Sequence, residues 1–319
     1  MRQILLSMLK ILISAALLYV ALRKVDLFDL GVRVSGFASL GWIALAIASS
    51  ILQLFIGALR WCAVSAECGA RLPIVLAMRF NLIGAFFNQT LPSSIGGDAV
   101  RLWLMARAGA GWRAATYSIF IDRAIGLIVL AVIIFASLPW SYRLIGDPRG
   151  RSALLLLDSL ALAAGLGFLM FGRWHRLKGW WATHYIHACA VVANRLMFSP
   201  SRGPTIVILS ILIHVFSVVI AWCIVQSISA AVPFAQIFLL IPPVMLITTM
   251  PISIAGWGVR EATMGLAFGY SGLIPTEGVN IALLFGAVSF LVGMLGGIAW
   301  ILGPEKGTSK LSIGTADQT

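Results

Sequence analysis

A twelve-residue string occurs twice in this chain, and each copy comes at the end of a long apolar stretch. Residues 90–101 read TLPSSIGGDAVR and residues 249–260 read TMPISIAGWGVR, with seven of the twelve positions identical. In both copies a proline and glycines interrupt the apolar sequence, and an arginine follows. Pro/Gly-interrupted segments at corresponding positions of two halves are typical of transporters built from internal repeats, and they indicate where the binding site lies.

The composition predicts a polytopic membrane protein. The chain has 319 residues, of which 60% are hydrophobic and 11% are charged, whereas a soluble domain is about half apolar and about a quarter charged. The net charge is +12. Because the basic residues lie in loops between apolar segments, they indicate cytoplasmic loops and contact with anionic membrane lipids, and no nucleic-acid partner is predicted.

Apolar segments of about 20 residues predict about six spanning helices. They are 4–22, 37–59, 116–141, 152–171, 205–230 and 278–302. Two further pairs of segments flank the repeated strings, namely 73–91 with 98–109 and 233–250 with 259–270. We expect each pair to form a hairpin, either re-entrant or fully spanning. The predicted fold class is an all-α polytopic membrane protein with about six spanning helices plus two Pro/Gly-broken re-entrant hairpins in an inverted repeat.

Residues 1–302 are expected to form a single transmembrane domain, followed by a disordered tail at 303–319. Residues 172–204 carry five Lys/Arg and no acidic residue, which predicts a cytoplasmic amphipathic segment. Counting crossings from this segment places both termini in the cytoplasm. Repeat 1, about 37–141, is then separated from repeat 2, about 205–302, by an odd number of crossings, and we expect the second repeat to be inverted.

Four ionisable residues lie in or beside the repeated strings: Asp98 and Arg101 in the first, Arg260 and Glu261 in the second. Ionisable side chains at membrane depth are costly and usually face the bundle interior or a wet cavity. The planar guanidinium of arginine suits phosphate, so these residues are candidates for binding an anionic substrate. The alternative is that the acids and arginines pair with one another only to hold the hairpins together.

The glycines of the two strings are further candidates for substrate binding. We expect Gly96 and Gly97, and likewise Gly256 and Gly258, to form turns that leave backbone N–H groups free at the start of the short helices that follow. Free N–H groups at a helix N-terminus favour anions.

Polar residues elsewhere in the apolar segments have structural as well as functional interpretations. Asn81 and Asn88 are seven residues apart and share a helix face, where they either line a polar path or form helix–helix hydrogen bonds. Asp122 and Arg123 are adjacent, and we expect them to form an ion pair with each other. His214 is expected to be a core histidine.

The sequence contains none of the common catalytic or metal-binding signatures. GxSxG, HExxH and the P-loop are absent, and the four cysteines have no metal-ligand spacing. His184 and His187 have helical spacing but no carboxylate beside them. We therefore predict no metal, no cofactor and no enzymatic activity, although an enzyme that uses Asp98 or Glu261 as a base on a lipid phosphate stays an alternative.

Several motifs together resemble the flippase-like integral membrane family, which includes the transmembrane half of lysylphosphatidylglycerol synthases (multiple peptide resistance factor). The resemblance extends over residues 4–302. The motifs are Arg60-Trp61, Asn81 with Asn88, LPx3GGDx2R at 91–101, Asp122-Arg123-x2-Gly126 and GWGVRE at 256–261.

The resemblance implies a lipid flippase or lipid transporter of the bacterial cytoplasmic membrane, with Asp98, Arg101, Arg260 and Glu261 as the functional centre. The expected substrate is an anionic, phosphate-bearing lipid. The soluble aminoacyl-transfer domain of the synthases does not follow in this sequence, so we expect a stand-alone member without lysyl transfer. Another alternative is a membrane partner subunit of a lipid-modifying glycosyl- or acyltransferase.

Overall fold

The computed structural model describes residues 12, 18, 19, 22, 25–91, 96–172, 181–250, 253 and 255–303. These residues form helices and connecting loops, and no strand occurs among them. The helices are α1 (Leu27–Val34), α2 (Phe37–Glu67), α3 (Ile74–Thr90), α4 (Gly96–Met105), α5 (Gly111–Leu144), α6 (Pro148–Phe171), α7 (Trp181–Met197), α8 (Gly203–Ser227), α9 (Phe234–Thr248), α10 (Val259–Tyr270) and α11 (Pro275–Ile301), with a π-helical turn at Ala106–Ala110.

Five helical segments of the described chain are long and apolar enough to cross a membrane: α2, the continuous stretch Gly96–Leu144, α6, α8 and α11. This confirms the prediction of an all-α polytopic membrane protein. The sixth predicted span, 4–22, and the tail beyond Gly303 lie outside the described residues, apart from four isolated positions in the former.

The two predicted hairpins correspond to α3–α4 and α9–α10. Helices α4 and α10 have 10 and 12 residues, about 15 to 18 Å in length, so each is about half as long as the hydrocarbon core is thick. The predicted arm 98–109 differs from the structure, because a π-turn joins α4 directly to α5. Gly109 permits this change of direction because its φ is 107°, a backbone conformation that residues other than glycine rarely adopt.

Loop contacts show which helix ends lie together. Arg202, before α8, forms an ion pair with Glu67, at the end of α2. At the opposite end of the bundle, Gly146, after α5, donates its backbone N–H to the Tyr270 carbonyl, at the end of α10, over 3.1 Å. We call these the Arg202 end and the Tyr270 end.

The two hairpins enter the bundle from opposite ends. Helix α3 follows α2 at the Arg202 end, and α5 departs from that same end to reach Gly146, so the α3–α4 hairpin enters and leaves there. Helix α9 follows α8 at the Tyr270 end, and α10 finishes at Tyr270. The second hairpin therefore enters and leaves at the Tyr270 end, in the inverted sense relative to the first.

Both hairpin tips reach the interior of the bundle. Gln89, close to the end of α3, lies against Gly293 of α11, and eight residues separate Gly293 from the end of that helix, a rise of about 12 Å. Thr249, directly after α9, lines one cavity together with Leu127, in the middle of α5. Broken backbone at this depth is tolerated where protein covers it.

The packing of one half is repeated in the other. Helices α2, α3, α4 and α5 have counterparts in α8, α9, α10 and α11; α3 packs on α11 as α9 packs on α5, and α2 crosses α8. The corners agree as well. A residue with left-handed backbone follows each long helix, Gly69 (φ 82°) and Ser229 (φ 52°), and four residues later Pro73 and Pro233 precede the next helix.

The amphipathic segment predicted at 172–204 contains helix α7, and residues 173–180 lie outside the described chain. One face of α7 is buried in protein, with Cys189, Ala193 and Leu196 packed against residues of α2, α5 and α6. Asn194 fixes it further by donating to the Leu169 carbonyl over 2.7 Å. The apolar face of the predicted amphipathic segment thus packs on the bundle.

Glycines set the distance between α3 and α11. A Cβ at Gly296 would overlap the Leu82 carbonyl, and one at Gly297 would lie 2.9 Å from the Phe86 ring. Small residues at helix interfaces permit such close approach in membranes, where packing drives association.

We expect Gly296→Ala to lower the thermal midpoint of unfolding of the purified protein in detergent, because overpacking of a tight contact costs about 1–3 kcal/mol. Gly167→Ala on α6 is the matched control, since nothing lies within 4 Å of its added Cβ. That substitution should raise the midpoint slightly through helix propensity. Equal shifts for both variants would contradict the close contact.

The topology prediction can be tested by cysteine labelling in intact cells. The Arg202 end is predicted to be cytoplasmic, so a membrane-impermeant maleimide should label Arg149→Cys in intact cells and Ser201→Cys only after permeabilisation. The unsubstituted protein serves as background, since its own cysteines are buried or half-buried. Labelling of Ser201→Cys from outside would reverse the assignment.

Candidate functional site

The first group of charged residues is built around Asp98, near the start of α4. Its carboxylate accepts from Arg101 Nη1 at 3.0 Å, and from Arg123 Nε and Nη2 at 2.7 and 2.8 Å. Asp98 and Arg101 are buried, whereas the Arg123 side chain is 51% exposed. One carboxylate is thus shared between two guanidinium groups, and the group formally carries one surplus positive charge.

Aromatic and small residues hold Arg101 in place. Its aliphatic stem passes over Gly84 of α3, where a Cβ would lie 2.8 Å from it. Its guanidinium lies 4.2 Å from the centre of the Trp61 ring of α2, a distance at which the ring attracts the cation. Arg101 Nε has no hydrogen-bond partner within the described residues, so the arginine keeps a donor that none of them uses.

A second ion pair lies beside this group. Arg60 Nε donates to Asp122 Oδ1 at 2.8 Å, and Arg60 Nη1 donates to Ser210 Oγ at 3.1 Å, so the pair joins α2, α5 and α8. The expected pairing of Asp122 with Arg123 was wrong, since each pairs with a different helix. Consecutive residues of an α-helix do not face each other, and here Asp122 faces α2 while Arg123 faces α4.

Gly96 and Gly97 begin α4 in helical conformation, so the turn predicted at these two residues was wrong. Glycine is required by packing: a Cβ at Gly97 would overlap the Gly84 carbonyl and the Asn88 side chain. The Gly97 N–H donates to Asn88 Oδ1 at 2.9 Å. The asparagine therefore occupies a backbone donor that was expected to be free for an anion. Residues 92–95 of this string lie outside the described chain.

Asn81 and His214 make structural contacts. Asn81 Nδ2 donates to the Leu54 carbonyl of α2 at 3.2 Å, which is the helix–helix hydrogen bond that was one of its two interpretations. His214 Nε2 lies 2.9 Å from the Gly126 carbonyl of α5, as expected of a core histidine. Neither contact provides a polar path.

The second group of charged residues lies at the start of α10. Arg260 Nη2 and Nε donate to Glu261 Oε1 at 2.8 and 3.2 Å, and the Gly258 N–H donates to Glu261 Oε2 at 2.6 Å. The predicted turn is present here, with φ of 78° at Gly256 and 82° at Gly258. Arg260 also lies 5.1 Å from the centre of the Trp257 ring. The group is formally neutral and buried.

The two repeats therefore hold their arginines differently. Two of the four glycine N–H groups predicted to bind an anion, those of Gly97 and Gly258, are occupied by side chains. Arg101 and Arg260 share no hydrogen bond, ion pair or partner residue in the described structure, and they form two separate groups. That both arginines belong to one functional centre stays a prediction.

Sequence reasoning missed Arg123 and the roles of Arg60 and Trp61 beside Asp98. The sequence did contain a signal, because Arg123 lies inside an apolar span. An arginine in that setting indicates a functional site or a buried ion pair. No cluster of three or more His, Cys, Asp or Glu that could hold a metal occurs among the residues described.

Five membrane-length helices, two opposed hairpins and buried ion pairs define a polytopic helical membrane protein with a charged interior. The chain belongs to the family of the lysylphosphatidylglycerol synthase transmembrane region, whose profile matches residues 7–297. This confirms the resemblance drawn from the motifs, and it relates the chain to membrane proteins that handle lipids. No curated protein and no solved structure matches the chain.

The Arg60–Asp122 pair should be structural. We expect Asp122→Ala to destabilise the protein by about 3–5 kcal/mol, because it leaves a buried guanidinium unpaired, whereas the double variant Arg60→Met/Asp122→Leu should recover most of the loss. Thermal unfolding in detergent measures both. A stable Asp122→Ala protein would contradict this structural role.

Proposed function

We propose that the protein is a lipid flippase or lipid transporter of the bacterial cytoplasmic membrane, with both termini in the cytoplasm. It moves an anionic, phosphate-bearing lipid between the leaflets and does not change it chemically. The family supports a role with lipids, and the two opposed hairpins supply the plan of a secondary transporter. The observation that carries the proposal is the Asp98 group, in which two arginines share one carboxylate.

The surplus charge of this group favours an anionic ligand. Moving a phosphate into the hydrocarbon without a counter-charge is costly. Arg101 and Arg123 already lie side by side on Asp98, and both have N–H donors to spare. A phosphate that binds them completes the charge balance, and the bonds that form are charge-assisted and therefore strong.

The neutral Arg260–Glu261 group supplies a second position along the route. Arg260 lies against Gly286 of α11, eleven residues from the start of that helix, a rise of about 16 Å from the Tyr270 end. In this proposal, the phosphate passes from the Asp98 group to Arg260, and Glu261 is the partner that Arg260 must release.

The alternatives are less well supported by the geometry. Asp98 accepts three hydrogen bonds from arginines, and Glu261 accepts three from Arg260 and Gly258. Carboxylates occupied in this way are poorly placed to act as the base of an enzyme that modifies lipids. A partner subunit of a lipid-modifying transferase would need no paired arginines at membrane depth.

Leaflet exchange in liposomes tests the proposal. We expect Arg101→Ala to slow the exchange of labelled phosphatidylglycerol about tenfold or more, because one charge-assisted hydrogen bond contributes about 1.5–3 kcal/mol. Arg101→Lys should retain part of the rate, since lysine keeps the charge but lacks the planar fork. Rates are compared at equal amounts of folded protein.

Arg149 is an exposed arginine at the start of α6. The Arg149→Ala variant is therefore the matched control and should exchange lipid at the rate of the unsubstituted protein. Normal exchange by a folded Arg101→Ala protein would overturn the site assignment. A chemically altered lipid product would favour the enzyme alternative, and exchange that requires an added transferase would favour the partner subunit.

A further inference from the structure

An apolar groove opens on the side of the bundle between α5, α6 and the end of α9. Its volume is about 500 Å³, and nearly all of its lining is apolar. Lining residues include Phe120, Leu127, Leu160, Ala164, Phe168 and Met250. Along α6 it extends from residue 157 to residue 168, a rise of about 16 Å, so its shape is long enough for much of an acyl chain.

Arg123 is not one of the lining residues, but it lies next to several of them on α5. Residues 120, 123 and 127 fall on one face of α5, and the first and last of them line the cavity. Two N–H groups of Arg123 bind Asp98, while Nη1 has no hydrogen bond to any described residue. With half of its side chain exposed, Arg123 offers a charged donor at the edge of an otherwise apolar surface.

The groove and the arginine lie at depths that suit one lipid. Phe120 packs against Phe168 with ring centres 5.8 Å apart, and Phe168 is three residues before α6 ends. Arg123 lies one turn further along α5, which runs away from the Arg202 end, so it is deeper than the Phe120–Phe168 contact, in line with its ion pair to Asp98 at the hairpin tip. A phosphate bound to Arg123 is therefore drawn inward from the headgroup level. The groove continues inward from there as far as Thr249 and Met250, at the second repeated string.

A lipid explains these features better than a protein partner does. Lipid tails are as apolar as leucine, so an apolar groove within the bilayer gains little from a second apolar helix, and acyl chains occupy it by default. Selectivity must then come from the polar edge. A guanidinium with free donors selects phosphate, to which arginine binds with two parallel hydrogen bonds.

We propose that this groove is the lateral docking site at which an anionic phospholipid of the leaflet at the Arg202 end enters, with its phosphate on Arg123 and one acyl chain between α5 and α6. The inference rests on the proposed function and names the entry point of its substrate. Asp158, the acidic residue of α6, is buried and does not line the groove, so α6 presents no carboxylate to the phosphate. The carboxylate that does contact Arg123, that of Asp98, is shared with Arg101.

Photo-crosslinking tests the docking site separately from transport. A benzoylphenylalanine placed at Ala164 lies in the groove, and the same residue at Ala163 is the matched control, because Ala163 is exposed on α6 but is not part of the lining. Each protein is reconstituted in vesicles of phosphatidylglycerol with phosphatidylcholine, irradiated, and the captured lipid is identified by mass spectrometry.

We expect position 164 to capture phosphatidylglycerol in preference to phosphatidylcholine by about tenfold relative to position 163, the effect of one charge-assisted hydrogen bond. Arg123→Gln should abolish the preference, and Arg123→Lys should keep part of it. The lysine variant retains a cationic partner for Asp98, so it reports on the site even if the glutamine variant does not fold.

Equal capture of the two lipids at positions 163 and 164 would overturn the proposal, as would an unchanged preference in either Arg123 variant. The preference at 164 without any leaflet exchange would uphold the docking site and contradict the proposed flippase function. Leaflet exchange without the lipid preference at position 164 would support the flippase function and contradict the docking site.

Discussion

A charge inside a bilayer must be compensated by the protein, because the hydrocarbon offers no water and few counter-charges. Each buried arginine of the interior helices is accordingly paired with an acidic residue. Asp98 forms ion pairs with Arg101 and Arg123. Arg60 pairs with Asp122 and donates a hydrogen bond to Ser210. Glu261 pairs with Arg260, the residue before it. These bonds connect α2, α4, α5 and α8, so the same pairs that neutralise the arginines also fix how these helices are rotated and how deep the first hairpin lies.

The Asp98 group and the apolar groove are both built on α5. Arg123 connects them, since it binds Asp98 and shares a face of α5 with Phe120 and Leu127 of the groove lining. The contact between α3 and α11 corresponds, in the repeat, to the contact between α9 and α5. Glycines let α3 and α11 pack closely, whereas the groove opens beside the contact between α9 and α5. The two repeats share their helix order and differ in how tightly their outer faces are packed.

Much of the architecture could be predicted from the duplicated string. It located both hairpins, and the predicted segment 259–270 coincides with α10. Pairings between helices could not be predicted, because they depend on helix rotation: Asp122 and Arg123 are neighbours in sequence but face different helices. The sequence suggested a turn at Gly96 and Gly97, yet both residues are helical. Glycine is needed at position 97 because α3 and α4 are in close contact there.

Under the proposed function, the arginines of the Asp98 group would remain in the protein while a lipid crosses, and this has an electrical consequence. A fixed positive charge lowers the barrier for an anion equally in both directions, so it accelerates the crossing without setting its direction. The lipid itself carries negative charge through the field, and each elementary charge is worth about 2.3 kcal/mol per 100 mV. In a cell that is negative inside, the voltage alone then drives an anionic lipid outward.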